Sequence, residues 1–191
     1  DQGVTKQYTS ARLNSKFAFT YGRVDIRAKA PNASGTWPAL WLLGKNVNED
    51  GGFFDSNFGT TSWPACGEID IMEHVGFDPS IIHASVHTNI FNHVLGTQKT
   101  AKTTITTFNT EFHLYRMDWT PDEIKVFIDD REIFAFKRQG VLWQEWPFNQ
   151  PQHLLVNIAV GGNWGGLKGI DDTIFPISME LDYVRYYALK Q

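Results

Sequence analysis

Period-two alternation of apolar and polar residues governs almost the whole chain, and it leaves little room for any fold but stacked β-sheets. In GRVDIRA, Val24, Ile26 and Ala28 oppose Arg23, Asp25 and Arg27. In SARLNSKFAF, Ala11 and Leu13 oppose Ser10, Arg12 and Asn14, which puts the first pair on the core side. The pattern recurs in IIHASVHT, FHLYRMDWT, EIKVFIDD, REIFAF, HLLVNIAV and SMELDYVRYY. Such a ribbon buries one face and leaves the other to solvent or to a ligand. Turn chemistry separates the runs at GFDPS, TPDE, DDR and GGNWGG. EIKVFIDDREIFAFK reads as a hairpin with Asp129 and Asp130 near its tip. Only VLWQEWPF has room for a helical turn. A length of 191 residues with this pattern predicts one all-β domain, an antiparallel two-sheet β-sandwich.

One run departs from the pattern. WPACGEIDIMEHVG, Trp63 to Gly76, places Glu68, Asp70 and Glu73 within six residues, interleaved with Ile69, Ile71 and Met72. As a strand, it puts Glu68 and Asp70 on one face while Ile69 and Ile71 pack into the core. Strict alternation turns Glu73 inward beside the isoleucines, where an ionised carboxylate is heavily penalised. A one-residue bulge near Met72 returns Glu73 to the Glu68 face, and three carboxylates then stand in a row on one exposed face. At a rise of ~3.3 Å per residue, the Glu68 and Glu73 backbones lie ~13 Å apart after the bulge. Side chains leaning together approach the ~5–5.5 Å of a retaining glycosidase pair rather than the wider gap of an inverting one. Asp70, between them, orients Glu68, and mutual repulsion keeps one member protonated. On spacing alone, a solvated acidic edge strand and a calcium site of oxygen ligands stand beside catalysis as alternatives.

Charge and composition narrow the partners. A net charge of -4 with no long Lys/Arg run argues against nucleic acid. No stretch reaches the ~20 apolar residues of a membrane helix, since HLLVNIAVGGNWGGL is broken by Asn and Gly. The single Cys66 can form neither an internal disulfide nor a cysteine-based zinc site, and reads as a small buried thiol. The chain opens at DQGVTKQ without a signal-like segment, as a cytoplasmic or a processed protein would.

GEIDIMEHVG closely resembles the active-site signature of glycoside hydrolase family 16, in the form with an extra residue that laminarinase-like endo-β-1,3-glucanases carry. YTSARL, YGRVDIRAKAP, GTWPALWLLG, HASVHT, LLVNIAVGGNW and LDYVRYY match in family order, spanning nearly the whole chain. The resemblance implies a concanavalin A-like jelly roll with an open cleft on its concave sheet. It implies endo-acting, retaining hydrolysis of laminarin-type β-1,3-glucan, with Glu68 as nucleophile, Glu73 as acid and then base, and Asp70 assisting Glu68. No cofactor is needed for that chemistry, and secretion and a monomeric state are expected. Family domains usually begin with further strands before YTSAR, so residues 1–191 are expected to form the hydrolase domain without them. Other family activities remain as alternatives: mixed-linkage glucan, agar or carrageenan hydrolysis, or transglycosylation. A non-catalytic carbohydrate-binding jelly roll is the alternative from outside enzymology.

The other candidates surround that strand. Trp37 and Trp41 lie four apart and share a strand face, and their indoles suit stacking on pyranose rings; core packing is the plainer explanation. By resemblance both match cleft residues, as does Trp63. His87 shares a face with His83 and Ser85, and the resemblance sets it beside the nucleophile. A zinc site from His74, His83, His87 and His93 fits no standard ligand spacing, so all but His87 read as surface or hydrogen-bonded histidines. Arg12 matches an arginine that hydrogen-bonds sugar hydroxyls, whereas Arg23 and Arg27 are expected to pair with acids such as Asp25. Asn157 and Ala159 share a polar-capable face that leads to Gly161, where small residues admit a sugar to the sheet. Asp182 matches a position that binds structural calcium in relatives.

Overall fold

The computed structural model describes residues 5–49 and 59–190. Eleven strands run through them: β1 (Arg12–Phe19), β2 (Gly22–Lys29), β3 (Thr36–Gly44), β4 (Glu68–Glu73), β5 (Ile81–His87), β6 (Lys99–Thr104), β7 (His113–Trp119), β8 (Glu123–Ile128), β9 (Arg131–Lys137), β10 (Gln152–Val160) and β11 (Glu180–Tyr187). They form a six-stranded sheet, β1-β10-β3-β4-β5-β6, and a five-stranded sheet, β11-β2-β7-β8-β9. Neighbouring strands are antiparallel throughout both sheets. The result is the antiparallel two-sheet sandwich that the alternation predicts, as the jelly roll implied by the family resemblance requires.

The two sheets meet through the inward halves of the alternating runs. Leu40, Leu42, Ile69, Ile82, Ala84 and Val86 from the larger sheet are buried with Val24, Ile26, Ala28, Tyr115, Met117, Trp119, Ile124 and Val126 from the smaller. Each large aliphatic side chain so buried contributes roughly 1.5–3 kcal/mol. The β8–β9 hairpin turns at Asp129 and Asp130, with φ of 50° and 57°. Two successive left-handed residues make the tight turn whose twist suits a two-residue hairpin. VLWQEWPF holds one helical turn, in which the Trp146 N–H donates to the Leu142 carbonyl.

The first strand departs from its expected facing. Ala11 and Leu13 are exposed rather than buried, Leu13 by 59%. β1 is the outermost strand of its sheet, and its register with β10 shifts between Asn14 and Ala18. Only past that irregularity does β1 turn its apolar side to the second sheet, where Phe19 packs on Tyr186 and Trp119.

The bulge in β4 positions the site. Asp70 pairs with Ser85 and Glu73 with His83, so Ile71 and Met72 together face the single residue Ala84 of β5. On the other side, Trp41 pairs with Asp70 and Leu40 with Met72, which passes over Ile71. Ile71 and Met72 are both fully buried, and Glu73 emerges on the face that carries Glu68. Just beyond β4, Gly76 lets two backbones touch. A Cβ there would lie 1.7 Å from the Ala33 carbonyl oxygen, and the Gly76 N–H donates to Thr36.

Candidate active site

The outer face of the six-stranded sheet carries a cavity of about 320 Å³ lined by Trp37, Ala39, Trp41, Trp63, Glu68, Asp70, Glu73, His93, Asn157 and Ala159. Period two explains most of that lining. Trp37, Ala39 and Trp41 are alternate residues of β3, Asn157 and Ala159 of β10, and the carboxylates come from β4 across its bulge. His83, Ser85 and His87 continue the same face on β5. A larger cavity of about 630 Å³ opens near Tyr8, Ile158, Val160 and Phe175. Its lining carboxylate, Asp172, accepts the Tyr8 hydroxyl, and it offers no acid pair; the chemistry belongs to the smaller cavity.

The carboxylates are more enclosed than a solvated row would be. Asp70 is 2% exposed and Glu73 8%, while Glu68 is half-buried. The tryptophans supply part of that enclosure and also hold the acids by their ring edges. Trp63 Nε1 donates to Glu68 Oε2 at 2.9 Å, and Trp37 Nε1 donates to Glu73 Oε1 at 3.0 Å. Trp41 Nε1 donates to Asn157 Oδ1 at 2.7 Å, fixing the two residues against each other across β3 and β10. An indole N–H to each glutamate steadies its orientation and leaves the second oxygen available.

Enclosure and crowding weaken all three as acids. Burial, then the charge of Glu73, pushes Glu68 up to about 8, against the opposing pull of the Trp63 hydrogen bond. Burial pushes Glu73 up to about 7, again opposed by its tryptophan. Asp70 is raised by burial and by both glutamates. Protons in such a row belong to the set, so the higher value at Glu68 does not make it the acid. Asp70 is the most deeply buried and adjoins Glu68 on the same face; a proton held there relieves Glu68 of a negative neighbour and leaves it free to ionise. Glu73, held by Trp37, keeps its own proton to near neutrality.

These shifts fix a stability profile. A carboxyl raised from 4.5 binds its proton longer in the folded state, so stability falls as pH rises from about 4.5 through about 8. His83 and His87, lowered by burial to about 4, act oppositely and add stability as pH rises from about 4 to 6.5. The two trends offset below pH 6.5, and above it the carboxylate row acts alone. The melting temperature is therefore expected to fall between pH 6.5 and 8. Glu73→Gln should flatten that fall and stabilise the protein at pH 8 by on the order of 2 kcal/mol, several degrees by calorimetry.

The profile of glycosyl hydrolases family 16 matches residues 3–185. The chain belongs to glycosyl hydrolases family 16. It is 46% identical over 189 residues to a β-glucanase of Rhodothermus marinus, covering 95% of this chain and 63% of that protein. The laminarinase structure from Rhodothermus marinus superposes with a TM-score of 0.87 at 44% identity, covering 97% of this chain and 73% of that one. A laminarinase variant from Zobellia galactanivorans, in complex with laminaritriose and laminaritetraose, gives a TM-score of 0.85 at 44% identity, covering 98% and 73%. The chain spans less than two thirds of the first curated relatives it matches.

In this family 16 chain several expected site residues meet at the cavity: Glu68, Asp70, Glu73, Trp37, Trp41, Trp63 and Asn157. His87 lies beside them, its Nε2 3.4 Å from Asp70 Oδ2 and 3.8 Å from Glu68 Oε1. Arg12 stands at the rim, 5.4 Å from the Trp41 ring centroid, and both its terminal nitrogens bond Glu49 at 2.7 Å. Its guanidinium is thus already engaged by a carboxylate. Arg23 pairs with Asp25 as expected. Asp182 pairs with Arg27 at 2.6 Å in an exposed ion pair.

Two residues escaped the sequence. His93, expected as a surface or hydrogen-bonded histidine, lines the cavity with its ring 5.1 Å from Trp63. Trp164 meets Trp37 at 5.1 Å and His83 at 4.8 Å, both edge-on, closing the Glu73 end. A lone tryptophan in GGNWGG, directly after the cleft residues of β10, was the available signal for the latter. His74 is the hydrogen-bonded kind of histidine, buried and bonded to Ile81 and Asn32, and His83 is buried against the Trp164 ring.

Proposed function

We propose that this domain cleaves internal β-1,3 linkages of laminarin-type glucan with retention of anomeric configuration. The observation that carries the reading is the β4 bulge, which sets Glu68 and Glu73 on one cleft floor, each with one oxygen held by an indole. Glu73 protonates the leaving glycosidic oxygen while a Glu68 oxygen attacks the anomeric carbon, giving a glycosyl-enzyme ester. Water, deprotonated by the same Glu73, then attacks that carbon and releases Glu68. Asp70 holds the shared proton beside Glu68 and aligns it. Trp37, Trp41 and Trp63 present apolar faces to pyranose rings, and Ala159 keeps the β10 side low enough for a sugar to lie close. The relatives named β-glucanase and laminarinase, and the bound laminari-oligosaccharides of one of them, support the choice of substrate. The route draws on two glutamates and water, without a resident cofactor.

Digests of laminarin, mixed-linkage β-glucan and agarose, resolved by chromatography and by anomer-specific NMR, test this. The expected result is laminari-oligosaccharides of mixed length whose new reducing ends appear first as the β anomer. First-formed α anomer would exclude retention, and saturable glucan binding without new reducing ends at any pH would mark a binding protein.

A further inference from the structure

The cleft floor contains the geometry of a second kind of ligand. Glu68, Asp70 and His87 each bring one ligand atom to within 4.8 Å of the others, the one such trio among the described residues. His87 Nε2 is 3.4 Å from Asp70 Oδ2 and 3.8 Å from Glu68 Oε1. A tetrahedral ion with bonds of ~2.0–2.2 Å sets neighbouring ligand atoms ~3.4 Å apart, so small side-chain movements complete the set.

A second observation points the same way. Asp70 Oδ2 is buried, faces His87, and has no hydrogen-bond partner. A buried carboxyl oxygen without a partner is costly whether or not it carries a proton, and such exceptions call for a reason. His87 is only 7% exposed and its Nδ1 also lacks a partner, so no bond at that nitrogen fixes the tautomer, and Nε2 can turn its lone pair to the carboxylates.

We propose that Glu68, Asp70 and His87 form an inhibitory binding site for a divalent first-row transition cation of the zinc kind, with its fourth position open to the cleft. One imidazole and two carboxylates in a tight trio suit Zn²⁺, whereas Ca²⁺ and Mg²⁺ want more oxygen ligands or octahedral geometry. The bound ion takes the oxygen that attacks the sugar and fills the space where the anomeric carbon must sit. Inhibition rests on the nucleophile reading above; binding does not.

Zinc chloride titrated calorimetrically into the protein, with Co²⁺ absorption as a spectroscopic stand-in, tests binding without turnover. One Zn²⁺ per chain is expected, with affinity falling about tenfold or more in His87→Asn and in Asp70→Asn, and staying within about twofold in His93→Ala. Laminarin hydrolysis should fall with occupancy, compete with substrate, and return on adding a chelator. Absence of stoichiometric binding, or binding lost in His93→Ala and kept in His87→Asn, overturns the site. Full occupancy with undiminished hydrolysis overturns the inhibition. A protein inactive in chelated buffer would count against the glucanase reading alone, because the calorimetric and Co²⁺ signals do not depend on catalysis.

Discussion

Glu68→Ser is expected to lower kcat on laminarin by at least ~10⁴-fold while leaving oligosaccharide affinity within a few-fold. The barrier rises by roughly 5.5 kcal/mol, because the covalent intermediate cannot form and water must displace the leaving group without that help. Binding should survive, since the sugar-facing surfaces of Trp37, Trp41 and Trp63 are untouched and a buried acid is removed from the row. The measurement is kcat by reducing-end assay beside laminaritetraose affinity by calorimetry. In Glu68→Ala, azide should restore turnover and yield an α-glycosyl azide, the stereochemistry of direct attack from the vacated face. Near-normal turnover in Glu68→Ser would show that the nucleophile lies elsewhere.

Glu73→Gln should cost about 10²–10⁴-fold on laminarin, the usual contribution of a positioned acid. Its signature is selective. An aryl β-glycoside with a good leaving group needs no protonation, so its first step should stay fast while hydrolysis of the intermediate slows. A glycosyl-enzyme should then accumulate and be visible by mass spectrometry. The pH profile separates the roles further. Glu73 must be protonated to start the reaction and is held to about 7, so kcat/KM should fall tenfold per pH unit above that point. In Glu73→Gln that alkaline limb should vanish. A limb that persists unchanged would assign it to another member of the row.

Much of this site was legible because a sheet converts sequence into faces by simple alternation. Val24, Ile26 and Ala28 are buried as their pattern requires, and the Asp129–Asp130 turn follows from local chemistry alone. The bulge was readable because the cost of an inward Glu73 exceeded the cost of breaking the ladder. What escaped depended on position in the sheet or on contacts between distant loops. Leu13 has the right alternation on an edge strand whose register shifts, so pattern alone sent it to the wrong side. The setting of Glu73 and Glu68 depends on indole edges reaching them from Trp37 and Trp63. Period two tells which face a tryptophan occupies and not where its N–H points. His93 and Trp164 sit on loops, where no periodicity exists to place them.

The bulge also makes catalysis a matter of parity. Glu68 and Glu73 stand five positions apart, an odd count that on a two-fold ribbon sends them to opposite sides unless one residue between them goes uncounted. Exchanging Ile71 or Met72 for another apolar residue leaves that sum intact. Excising either one makes the count even while erasing the uncounted residue, so the partners again share a side, at much the same spacing and on a straighter ribbon. Adding a residue to the present bulge instead turns the acid into the sandwich. This strand thus tolerates the loss of one residue between its working groups and not the gain of one.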